Sequence, residues 1–173
     1  LYRRQCERRG FLEISRYRVT LRSLIPGPGI RVVFLTDFHF SRVVPAGFLD
    51  MAARRALEER PDLILLGGDI WTSDAEPLEA AERVLGRLHS PLGVYAVLGN
   101  HDLRVGRELT TALLGQLGIE VLTNEGRSIT TEAGHVYICG VDDEWQGNPD
   151  PQRALAGCPP DVPSVMVSHQ ALS

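Results

Sequence analysis

Apolar residues come in short bursts, and the spacing of those bursts sets the order of elements. The runs Ile30 to Leu35, Leu63 to Leu66 and Val94 to Leu98 are almost continuously apolar and rich in β-branched side chains. That pattern predicts strands buried on both faces. Between them, Ala46 to Arg60 sets Phe48, Met51, Ala52 and Leu57 at helical spacing and stops before Pro61, and a second helix is expected from about Glu76 to Leu88. Strands alternating with helices imply an α/β fold with a parallel sheet.

The second half reads differently. After a helix over Arg107 to Leu117, short strands are expected at Ile119 to Leu122, Arg127 to Thr131 and Val136 to Val141, around Asn124-Glu125-Gly126 and Ala133-Gly134. This part has an antiparallel character. A short helix near Pro151 to Ala156 precedes a last strand at Val165 to Val167. Upstream of all this, Glu13 to Leu21 alternates imperfectly, as an edge strand does, until Pro26-Gly27-Pro28-Gly29 breaks it. The expected organisation is residues 1–29 as a basic arm with an edge strand, and residues 30–173 as one domain.

Charge changes the picture at the front end. Residues 1 to 31 hold eight arginines against Glu7 and Glu13, a net of +6, in a chain of net charge −4. Such a block is most simply a solvated arm. The functional alternative is peripheral contact of Arg3, Arg4, Arg8 and Arg9 with anionic lipid. Arg8-Arg9-Gly10-Phe11-Leu12 looks like a twin-arginine signal, but the charged residues that follow exclude an export segment. No apolar run approaches the roughly 20 residues of a spanning helix. Cys6, Cys139 and Cys158 are odd in number and far apart, so no disulfide framework is expected. Together these features favour a cytoplasmic chain, with membrane association as a further expectation. The overall acidity and the lack of an aromatic-basic face argue against nucleic acid as a partner.

Chemistry collects where the strands end: Asp37-Phe38-His39, Gly67-Gly68-Asp69, Gly99-Asn100-His101-Asp102 and Ser168-His169 each follow a buried run. In open α/β sheets such ends meet at one edge, where ligands bind. Carboxylates, imidazoles and a carboxamide without thiolates suit Mn, Fe or Zn. Asp69, with two oxygens, can bridge two cations. The Asn100 carbonyl oxygen can ligate while His101 stays free for acid work, with Asp102 placed to hold its ring. His89 reads as a helix-end cap, Cys139 as a core residue, and His135 as a strand residue remote from the chemistry.

These blocks, in this order, resemble the calcineurin-like metallophosphoesterases, which carry D-x-H, G-D, G-N-H-[DE] and a later H. Glu13 to Leu21 and Gly140-Val141-Asp142-Asp143 are similar to the branch of bacterial phosphodiesterases related to UDP-2,3-diacylglucosamine pyrophosphatases. The resemblance implies a four-layer α-β-β-α sandwich, truncated at the C-terminus, since the family's G-H-x-H loop has no counterpart after His169. It implies two divalent ions: Asp37, His39 and Asp69 on one, and Asp69, Asn100 and His169 on the other. His101 would face a phosphate-ester substrate, attacked by a hydroxide bridging the metals. A lipid-linked nucleotide is one such substrate, and a catalytically inactive binding scaffold is the competing reading. The oligomeric state is not legible.

Overall fold

The computed structural model describes residues 3–9, 12–20, 29–72 and 78–171; the side chains of residues 3–9 lie outside that description, and with them the lipid-contact expectation for Arg3, Arg4, Arg8 and Arg9. β1 (Arg3–Arg9) and β2 (Leu12–Arg18) form an antiparallel ribbon in register from Arg3 opposite Arg18 to Arg9 opposite Leu12. β1 had no signature, because Arg-Arg-Gln-Cys-Glu-Arg-Arg shows no apolar alternation. The ribbon is fastened by Arg16, whose guanidinium makes two hydrogen bonds to Glu59, at 3.0 and 2.8 Å.

The first main sheet is parallel, ordered β3 (Val32–Leu35), β4 (Leu63–Leu66), β5 (Val94–Ala96), β6 (Ile119–Val121). Its crossovers contain α1 (Ala46–Glu58), α2 (Leu78–Leu85), α3 (Asn100–Val105) and α4 (Arg107–Gln116). The second sheet is ordered β7 (Glu125–Thr131), β8 (Gly134–Gly140), β9 (Ser164–Val167), antiparallel between the first pair and parallel between the second. α5 (Pro151–Leu155) connects β8 to β9.

Alternation along each strand divides its side chains between two neighbouring layers. In β4, Ile64 and Leu66 pack with Leu49 and Ala53 of α1 and with Ala81, Val84 and Leu85 of α2. Leu63 and Leu65 point the other way, against Ile129, Val136, Ile138 and Val167 of the second sheet. In β8, Tyr137 and Cys139 turn from that interface toward Ala154 of α5. Three apolar cores thus fill three gaps between four layers, helix, sheet, sheet, helix, as the resemblance implies.

Two local expectations fail. α1 buries Leu49, Ala53 and Ala56, whereas Phe48 and Met51 are exposed. Ala-rich helices offer two stripes at the required spacing, and the one with smaller residues lets the helix approach the sheet. β3 is buried on one face only: Val33 and Leu35 pack toward the helices, while Phe34 is 53% exposed. β3 is an edge strand, and neither Val32 nor Phe34 is among the described residues of the apolar cluster between the two sheets.

Candidate metal centre

β3 and β4 do not end their pairing where the strands end. The Asp37 amide donates to the Gly68 carbonyl at 3.0 Å, His39 to Asp69 at 3.0 Å and Phe40 to Ile70 at 2.8 Å, so the two following loops run side by side. Within these loops Asp37, His39 and Asp69 all have positive φ, 56°, 46° and 51°. For residues with a Cβ this left-handed backbone costs about 1–2 kcal/mol each. Such strain persists where surrounding structure over-determines it, and it gathers at functional sites. Here it accompanies three carboxylate and imidazole side chains converging at one sheet edge.

One ligand atom each from Asp37, Asp69 and His169 lies within 4.8 Å of the others. His39 Nε2 is 3.6 Å from Asp37 Oδ1 and 3.6 Å from Asp69 Oδ2, and His169 Nε2 is 3.4 Å from the same Asp69 oxygen. Asp69 is therefore the hub. Burial alone would raise its pKa; hydrogen bonds from His169 and from the His101 amide, with the charge on both rings, hold it below the ordinary carboxylate value. His169 is raised to about 9, first by its hydrogen bond to Asp69, against the opposing effect of burial.

Tautomers follow from backbone carbonyls, which only accept. His169 Nδ1 sits 2.7 Å from the Gly67 carbonyl and donates to it, which leaves Nε2 as the nitrogen turned toward Asp69 and the one that would lose its proton to ligate a metal. This is the usual arrangement behind a metal-ligating histidine. The His101 Nδ1 likewise donates to the Thr72 carbonyl. Its ring stands edge-on to His39, with centroids 5.1 Å apart.

Asn100, His101 and Asp102 occupy the first turn of α3, a helix the sequence pattern does not show. The Asn100 side chain is nearly buried, 5% exposed, and makes no hydrogen bond to the described residues. Gly99 precedes it because a Cβ there would lie 2.1 Å from Asp69 Oδ1. Asp102 corrects an expectation: it does not hold the His101 ring. Neighbouring residues on a helix do not face each other. Its oxygens instead accept from the Trp71 and Gly99 amides, both at 3.0 Å, in full burial. Desolvation pushes its carboxyl up to about 6, against the pull of those two amides.

Other contacts had no sequence signal. The turn carrying His169 is clamped by Gln170, whose carboxamide donates to Asp143 at 2.6 Å and accepts from the Glu144 amide at 3.1 Å. Carbonyl partners such as Thr72 and Gly67 depend on the path of the backbone and not on residue type. His89 bonds the Arg87 carbonyl and His135 the Thr130 hydroxyl, both outside the cluster. Cys139 is fully buried, and desolvation, with Cys158 nearby, pushes its thiol to about 11.

Layering and site together define a class: an α-β-β-α protein with a carboxylate–imidazole cluster at its strand ends. The family model for calcineurin-like phosphoesterases matches residues 30–156, and the chain belongs to that family. Members use divalent metals. The chain is 33% identical to phosphodiesterase YaeI of Escherichia coli (strain K12) over 172 residues, covering 97% of this chain and 62% of that protein. It is 33% identical over 158 residues to a transmembrane protein with metallophosphoesterase domain from Bos taurus, 83% of this chain and 36% of that one. A shorter match, 36% over 75 residues, is to UDP-2,3-diacylglucosamine pyrophosphatase LpxG of Chlamydia trachomatis serovar D, 43% of this chain and 23% of that protein. The chain thus spans less than two thirds of these relatives. Among the described residues no helix is long and apolar enough to cross a membrane.

Proposed function

We propose that the chain carries most of the two-metal centre of a hydrolase acting on phosphodiesters, phosphomonoesters or pyrophosphates. The observation that carries this reading is the convergence of Asp37, Asp69 and His169 within 4.8 Å, from three separate strand ends. The residues fit divalent ions: Asp69 offers two oxygens, the Asn100 side chain is buried with no hydrogen bond to the described residues, and Nε2 of His169 is turned toward Asp69. Asp37, His39 and Asp69 would hold one ion, and Asp69, Asn100 and His169 the other. Oxygen and imidazole donors favour Mn, Fe or Zn. Such a pair acidifies water and draws charge from the phosphoryl oxygens.

The chain's own work is orientation and proton handling. Thr72 fixes the proton on Nδ1 of His101, which leaves Nε2 as the nitrogen that meets substrate. Protonated there, His101 donates to the oxygen that gains charge and leaves. Phe38 and Phe40 stack with ring centroids 5.6 Å apart beneath the strained turn, which keeps Asp37 and His39 in place. The name of LpxG supports a lipid-linked nucleotide as substrate class, and the net +6 of the first 31 residues supports contact with anionic lipid. An inactive scaffold is disfavoured by the presence of Asp37, His39, Asp69, Asn100 and His169 together with His101.

Substitution separates the roles of two neighbours. His101→Ala should lower kcat for bis-p-nitrophenyl phosphate roughly a hundred- to a thousandfold with bound Mn²⁺ unchanged. Asn100→Ala should lower the metal content instead. Metal analysis beside steady-state kinetics reads both, and metal loss in the His101 variant would reverse the assignment.

A further inference from the structure

Beside the cluster lies a cleft of about 560 Å³. His39, His101 and Thr72 form one side, and the loop Ser41 to Val44 forms the other. Such a volume is that of a ligand pocket. The loop is ordered at both ends. Phe40 bonds Ile70 ahead of it, the Val44 amide donates to Ser41 Oγ at 3.3 Å within it, and the Pro45 carbonyl accepts from Phe48 after it, at 2.9 Å.

Its composition is unlike that of an ordinary surface turn. Val44 backs onto the helix-side core, but Val43 is 88% exposed, although β-branched and apolar. Among the described residues Val43 belongs to none of the apolar clusters. Arg42, exposed at the same rim, adds a positive charge. A wall that pairs an apolar surface with a cation, and opens onto the imidazoles of the phosphoryl site, matches a phosphate carrying an apolar ester group.

We infer that the Ser41 to Val44 loop is the subsite for the organic group of the ester, and that Val43 sets a preference for an apolar alkyl or aryl group. The inference rests on the phosphoesterase reading. The phosphoryl group sits at the metal cluster, the apolar group lies along Val43 and Val44, and Arg42 faces the anion at the rim. Selectivity then comes from the loop, while reactivity comes from the strand ends.

Non-hydrolysable phosphonates separate the two. With the Mn²⁺-loaded protein, calorimetry should show octylphosphonate binding at least about tenfold tighter than methylphosphonate, the scale of discrimination an apolar pocket gives. Val43→Asp should bring that ratio close to one. Leu109→Asp, at an exposed apolar residue of α4, should leave the ratio as it was. A ratio near one in the unaltered protein, a ratio that survives Val43→Asp, or one lost equally in Leu109→Asp would overturn the subsite. If Mn²⁺-dependent hydrolysis persists in those cases, the phosphoesterase reading stands without it. Failure of both phosphonates to bind, with no metal-dependent hydrolysis, would remove both.

Discussion

At the scale of single residues, backbone groups hold the cluster: the Gly67 and Thr72 carbonyls accept from His169 and His101, and the Gly99 and Trp71 amides donate to Asp102. Asp37, His39, Asp69 and His169 come together as their positions after buried strands predict, because a strand end delivers its next residues to the sheet edge whatever the loop does. Asp102 shows the limit: adjacency in sequence suggested a partner for His101, and helical geometry assigned it to two amides. Replacing Asp102 with Asn leaves one acceptor for two buried donors, and an unsatisfied buried donor costs about 1–3 kcal/mol. Asp102→Asn should therefore lower the urea midpoint by a corresponding amount. An unchanged midpoint would mean that the amides of Gly99 and Trp71 find other partners.

Elements were legible in type and order more than in extent. Periodicity found β4 and β5 because their neighbours bury both faces, but it could not choose between the two stripes of α1 or reveal α3, whose six residues span fewer than two turns. Nor could it show how α4 is tied to the end of β8. Arg107, the first residue of α4, makes two hydrogen bonds to Asp142, at 2.9 and 3.0 Å. Burial would raise the Asp142 pKa; Arg107 and the Asn148 and Asp143 amides overcome it and hold the carboxyl below its usual value. A depressed carboxylate contributes stability above its unfolded pKa, 3.8, and loses it as pH falls through the folded value. Asp142→Asn should accordingly be least stable relative to the unaltered chain at neutral pH, with the gap closing below about pH 4. Chemical denaturation at several pH values tests this, and a gap that widens in acid would contradict it.

For the whole molecule, the layering was legible through the resemblance more than through the pattern. Nothing in Leu63 to Leu66 says which face meets helices and which meets a second sheet; both demand only apolar residues. The exposed Phe34 shows the same blindness, since an edge strand and a central one can carry the same run. What the layering does decide is where the candidate ligands come from. Asp37, His39, Asp69 and Asn100 all follow strands of the first sheet, and His169 follows β9 of the second. An ion held by Asp69 and His169, as proposed, would be a rivet through the seam of the sandwich, and releasing it and parting the layers would become one equilibrium. Mn²⁺ at a hundredfold above its Kd should stabilise the fold by about 2.7 kcal/mol. In thermal unfolding His169→Ala should forfeit most of that gain, although the substitution leaves the first sheet and its helices intact.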